Sequence, residues 1–90
     1  MRHWKEFAQG LAVDHPALVQ KTLIEVWDCH RVLVEYHCGI IHYGTERIAI
    51  AATFGMIQIE GMELHLCCMS RDAMVISGEI RLITFDPEGR

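Results

Sequence analysis

The chain has 90 residues, 51% of them apolar, and 12 acidic against 8 basic residues give a formal net charge of −4. That length fits one domain, and an acidic balance without a basic arm argues against a nucleic-acid interface, which needs a positive face. A body this small hides only about 60–65% of the surface its unfolded chain exposes, so a half-apolar chain leaves some apolar surface outside as a contact patch.

In chain order, Trp4, Phe7, Ala8 and Leu11 recur at i, i+3, i+4 and i+7 and predict one short helix within His3–Val13. Asp14-His15-Pro16 ends it, because the residue before a proline disfavours the α region. From Thr22 to Phe85 the pattern becomes seven or eight short strands with glycine or a polar cluster at nearly every break. Thr22–Trp27 alternates with Leu23 and Val26 out of strict phase, and Asp28-Cys29-His30-Arg31 is a turn. Val32–Tyr36 is β-branched and aromatic, His37-Cys38-Gly39 breaks it, and Ile40–Tyr43 is short. Arg47–Thr53 follows Gly44-Thr45-Glu46 and bends at Phe54-Gly55. Ile57 and Ile59 share a face up to Gly61, Leu64 and Leu66 share the next, and Ser70-Arg71-Asp72 is a turn. Met74 and Ile76 lead to Gly78, and Ile80 and Leu82 lead to Phe85. Ile59–Leu64 and Ile76–Ile80 form a weak internal repeat, without the period of a solenoid. The expected fold is all-β, an antiparallel meander of short strands with a β-roll or sandwich as the minority arrangement, plus the N-terminal helix. The expected divisions are a helical or extended segment over 1–18, a β domain over 19–86 and a polar tail over 87–90.

The four cysteines, Cys29, Cys38, Cys67 and Cys68, lack the spacing of a disulfide scaffold and read as buried free thiols in a reducing cytosol. No signal peptide is visible behind Met1-Arg2-His3-Trp4, and the uncharged stretch Ile48–Ile59 is too short to span a bilayer as a helix.

Candidate chemistry is thin. Cys29-His30 and His37-Cys38, with His42 nearby, are the sharpest metal candidates, since cysteine and histidine are zinc's ligands. Their spacing matches no zinc module, and an extended strand at about 3.3 Å per residue holds the two pairs too far apart for one ion. His65 and Cys67 share a strand face, but i,i+2 side chains sit roughly 7 Å apart, a poor fit to a thiolate–imidazole pair, and Glu63 marks that face as solvent. Glu60 and Glu63 are an ordinary acidic pair on an acidic surface. Trp4 and Trp27 read as core or contact anchors. No catalytic, cofactor-binding or metal residue is assigned, and no cofactor is expected.

Leu33-Val34-Glu35-Tyr36-His37-Cys38-Gly39-Ile40, Tyr43, Ile48-Ala49-Ile50, Phe54–Leu64, Val75–Ile80 and Ile83-Thr84-Phe85 together resemble the YabP/YqfC family of sporulation proteins, nearer its YqfC branch. Glu35, His37, Gly39 and Ile40 fit the family's E-N-H-x-G-I segment. Gly55, Ile57, Ile59, Gly61 and Leu64 fit its glycine-centred second segment, and Ile76, Gly78 and Ile80 fit its I-x-G-x-I segment. Tyr36 departs, standing where the family usually has asparagine; an asparagine there suits a turn. The resemblance covers about two-thirds of the chain. It implies a protein of endospore-forming bacteria, made in the mother cell and associated with assembly of the spore's outer layers, with a sporulation membrane protein as partner and no catalytic residues to carry over.

The expected function is therefore non-enzymatic: a sporulation protein working by protein–protein contact, cytoplasmic in the mother cell or peripheral at the developing spore surface. The alternatives are a small metal- or thiol-dependent protein using Cys29, His30, His37 and Cys38, or an unrelated β binding module. Strand phase predicts a core of Leu33, Ile48, Ile50, Ile57, Ile59, Leu64, Leu66, Ile76, Ile80 and Leu82. Gly61 and Gly78 are expected where a side chain is penalised. Thr22–Trp27 is expected at a sheet edge, with self-association through it or through the face of Trp4, Phe7 and Leu11.

Overall fold

The computed structural model describes residues 21–88. The helix expected over His3–Val13, with Trp4, Phe7 and Leu11, lies outside the described residues.

Six antiparallel strands form one sheet: β1 (Leu23–Trp27), β2 (Arg31–Glu35), β3 (Ile40–Tyr43), β4 (Arg47–Ala52), β5 (Gly55–Met69) and β6 (Ala73–Asp86). Their order in the sheet is β1-β2-β6-β5-β4-β3. Two expectations change here. The strands number six because β5 and β6, of 15 and 14 residues, run through Gly61 and Gly78 without ending. The sheet is also not a plain meander, because β6 inserts between β2 and β5.

The turns fall where polar and glycine clusters interrupt the apolar alternation. At Ser70-Arg71-Asp72 the Ser70 N–H donates to the Ala73 carbonyl (2.7 Å), and the Ala73 N–H donates back to Ser70 Oγ (3.1 Å). At Asp28 the backbone turns left-handed (φ 60°), a conformation aspartate tolerates better than most residues.

The long β5–β6 ladder does not stay straight. Thr22 donates its hydroxyl to the Tyr36 carbonyl (2.8 Å) at the Ala73 end of the ladder, whereas Thr53 precedes Gly55 at the Asp86 end. A straight ladder would hold these ends roughly 40 Å apart at about 3.3 Å per residue. Yet Thr22 N donates to Thr53 Oγ1 (3.1 Å) and Thr53 N donates to Thr22 Oγ1 (2.9 Å). The ladder is therefore folded back on itself, and the single sheet makes two four-stranded leaves. One holds β1, β2, the first half of β6 and the second half of β5. The other holds β3, β4, the first half of β5 and the second half of β6.

The fold occurs where the two glycines cross. Gly61 pairs with Ile80, and a Cβ on Gly61 would fall on the Glu79 carbonyl oxygen. Gly78 has φ +138°, and its Cβ would sit 2.7 Å from the Glu63 carbonyl oxygen and 2.9 Å from Leu64 Cα. Each glycine thus admits the other strand's backbone. Gly78 alone also needs a positive φ, as Gly61 has none.

The halves are related by a near two-fold repeat. Gly61 N–H donates to the Glu46 carbonyl (3.1 Å) and Leu64 N–H to the Thr45 carbonyl (2.8 Å). In the other half, Gly78 N–H donates to the His30 carbonyl (3.2 Å) and Ile80 N–H to the Cys29 carbonyl (2.8 Å). The weak repeat in the sequence is this crossing, lengthened on β5 by one residue near Glu63, which turns left-handed (φ 55°).

Between the leaves lie Val32, Val34, Ile48, Ile50, Ile57, Ile59, Met74 and Ile76, all fully buried, with Leu64 and Ile80 beside them. Burying each such side chain contributes about 1.5–3 kcal/mol. Ile57 and Ile59 point inward while Gln58 and Glu60 are half-buried, so the phase expected for β5 holds. Leu33 is buried too (5% exposed), on the opposite face of β2 from Val32 and Val34. Leu66 is only partly buried. Leu82 corrects the expected core, being 53% exposed. Glu60 pairs with Leu82 and Gly61 with Ile80, so Arg81 is an extra residue on β6. That bulge reverses the phase and turns Ile83 and Phe85, rather than Leu82, to the inner side.

Candidate functional site

The two Cys-His pairs sit at opposite ends of β2. Cys29 and His30 occupy the β1–β2 turn, where their carbonyls receive the crossing N–H groups of β6. His37 and Cys38 lie in the link from β2 to β3. The Gly39 N–H donates to His37 Nδ1 (3.1 Å), which leaves the proton on Nε2 to donate to the Ser70 carbonyl (3.2 Å). Both ring nitrogens of His37 are thereby engaged in holding the link. Among the described residues, no three His, Cys, Asp or Glu side chains come together as a metal site.

The thiols correct another expectation: all four cysteines are free and exposed rather than buried. Cys67 is also better placed than its spacing implied. Its Sγ lies 4.0 Å from His65 Nε2 and 2.7 Å from Ser77 Oγ, which in turn receives Arg31 Nε–H (3.3 Å). Leu66 pairs with Ile76 and Cys68 with Val75, so Cys67 is an extra, bulged residue. The bulge breaks the regular pleat that sets same-face neighbours roughly 7 Å apart. His65 Nδ1 contacts the Glu63 carbonyl (3.1 Å), which turns Nε2 toward the sulfur as an acceptor.

Tyr36 takes a left-handed backbone (φ 59°) at the end of β2, its N–H bonded to the Asp72 carbonyl. This is a position that asparagine occupies at lower cost than tyrosine, which gives a physical sense to the one motif departure in the sequence.

Surface shape distinguishes the two lateral sides of the molecule. On one side β3 runs beside the second half of β5, and the Tyr43 hydroxyl accepts the Leu66 N–H (3.0 Å) across the gap between leaves. On the other, β1 runs beside the second half of β6. Cys29 bonds Ile80 at one end, and the Thr22–Thr53 bonds and the Phe54–Phe85 ring contact (6.0 Å) mark the other. Along this second side Val26 is 48%, Leu82 53% and Phe85 55% exposed. The Thr22–Trp27 edge was legible in the sequence; the part played by Leu82 and Phe85 was not, because it depends on the Arg81 bulge.

Among the described residues, no helix is long and apolar enough to cross a membrane. No curated protein and no solved structure matches the chain. The model of the YabP family matches residues 19–90 and so takes in all six strands, both crossing glycines and the open side, and the chain belongs to the YabP family.

Proposed function

We propose that the chain is a non-enzymatic sporulation protein that works by contact with other proteins during mother-cell assembly of the spore's outer layers, nearer the YqfC branch of its family. Membership of the YabP family supports the sporulation association. The observation that carries the contact role is the open side, where half-exposed Val26 stands on the edge strand β1 and Leu82 and Phe85 stand on the part of β6 beyond its pairing with β2. Such edges accept further strands, and contiguous exposed apolar side chains mark contact surfaces. The partners in this reading are proteins, among them a sporulation membrane protein, and further copies of the chain itself.

A thiol-dependent role is the second reading, favoured by the contact of Cys67 with His65 and Ser77. Counts of heat-resistant spores separate the two in an endospore-forming host lacking its own copy of the gene. The contact reading expects full rescue by the wild type and equal rescue by a Cys67→Ser, His65→Gln double variant. Failure of that variant, folded and expressed at wild-type level, would transfer the function to the thiol. A host whose spore count does not depend on the gene would remove the sporulation role itself.

A further inference from the structure

The near two-fold repeat shows where symmetry is broken. Val26 pairs with Val32, and Tyr43 pairs with Ile48, so the two occupy equivalent positions on β1 and β3. Leu66 and Ile83 are likewise equivalent, because they pair with Ile76 and Ile59, each two residues before a crossing glycine. On the β3 side Tyr43 is long enough to reach Leu66 N–H and tie the leaves together. On the β1 side Val26 carries no hydroxyl and cannot make the equivalent bond.

The edges differ in the same sense. β3 is irregular between Ile40 and His42, and β5 carries shifts between Met62 and His65 and between Leu66 and Cys68. Bulges of this kind blunt an edge. β1 pairs regularly along its whole length, as does β6 from Leu82 to Asp86. The regular edges, the untied seam and the most exposed inward-facing ring, Phe85, therefore all fall on one side.

We propose that this β1/β6 side is a two-fold interface with a second copy of the chain. The proposal rests on the contact reading above and names the surface and occupant for it. Area supports the occupant. Trp27, Phe54 and Phe85 are 37%, 38% and 55% exposed, and with Val26 and Leu82 they offer roughly 400 Å² of apolar surface if a covered aromatic side chain buries about 150–250 Å². A standard interface takes about 800 Å² from each partner, a little over half of it apolar, so this patch matches the apolar share of one copy. Charge supports it as well. Arg81, ion-paired to Glu79 (2.9 Å), lies near one end of the exposed β6 segment, and Asp86 lies at the other. A two-fold axis near Ile83 reverses the second strand and brings Arg81 of each copy toward Asp86 of the other.

Sedimentation of the full chain at micromolar concentration tests the interface. The wild type should run as a dimer. Leu82→Arg and Phe85→Arg should each weaken association by about tenfold or more, as expected for side chains at an interface centre. Ile41→Arg and Met69→Arg, at exposed apolar positions on the β3 side, should leave the dimer intact. Arg81→Asp should weaken it, and Arg81→Asp with Asp86→Arg in one chain should restore it, an outcome that misfolding cannot imitate. A monomeric wild type, a dimer indifferent to Leu82→Arg and Phe85→Arg, or a dimer broken by Ile41→Arg or Met69→Arg overturns the proposal. Any of these leaves the contact reading standing or falling on the spore counts alone.

Discussion

Replacing Gly61 by alanine is the sharpest perturbation of this fold. The added Cβ would land on the Glu79 carbonyl oxygen, a backbone atom that cannot rotate aside, so the two long strands must separate where they cross. Overpacking of this kind costs about 1–3 kcal/mol. Separation also stretches the Gly61–Glu46 and Leu64–Thr45 backbone bonds, at about 1 kcal/mol each. The expected loss is therefore about 3–5 kcal/mol, against a total stability of roughly 4–13 kcal/mol at 0.05–0.15 kcal/mol per residue. Guanidinium unfolding followed by tryptophan fluorescence reads the difference as a fall in midpoint at constant slope. Gly44→Ala is the control. Its Cβ would meet the end of a side chain, His42 Nε2, at 3.3 Å and the Arg47 carbonyl at 3.4 Å, so it should cost under about 1 kcal/mol. If Gly61→Ala proved no worse than Gly44→Ala, the crossing would not be the point on which the sheet folds.

Gly78→Ala should cost about 2–4 kcal/mol, because its Cβ would meet the Glu63 carbonyl oxygen at 2.7 Å, a milder overlap than at Gly61, while its positive φ adds about 1 kcal/mol of strain; the same unfolding curves check it. Ile59→Ala should lose about 2–4 kcal/mol from a fully buried site, whereas Leu82→Ala should stay within about 0.5 kcal/mol in the monomer, and equal costs would refute the Arg81 bulge. Tyr43→Phe should lower stability by about 0.5–1.5 kcal/mol and speed hydrogen exchange at the Leu66 amide; an unchanged exchange rate would show that the hydroxyl does not tie the leaves. Thr22→Val combined with Thr53→Val should cost about 1–2 kcal/mol by removing the bonds that close the folded ladder, as thermal melts would show.

Period-two alternation made the strands legible, since Ile48 with Ile50 and Ile57 with Ile59 each mark an inward face directly. The edge position of Thr22–Trp27 was readable from its place first in a run of hairpins. Glycine was ambiguous. A break at Gly61 or Gly78 reads as the end of a strand, whereas both glycines lie inside long strands and serve close backbone approach. The bulges at Arg81 and Cys67 and the shift near Glu63 were out of reach, because a bulge is a property of two paired strands and one strand's pattern does not contain it. That is why Leu82 looked like core, and why His65 and Cys67 looked too far apart. Val32 and Val34 escaped the expected core for a related reason: a strand buried on both faces, as β2 is, loses the alternation that reveals phase.

The central claim, that the chain acts by protein contact through its open side, is tested most directly by photo-crosslinking in sporulating cells. A photoreactive residue is placed at Phe85 in one full-length variant and at Met69 in another. Both positions are exposed, on opposite lateral sides of the molecule. A discrete protein adduct at position 85, with a second copy or with another protein, and none at position 69 is the predicted result. No adduct at position 85 in cells that form normal spores, or an adduct at position 69 alone, would contradict it.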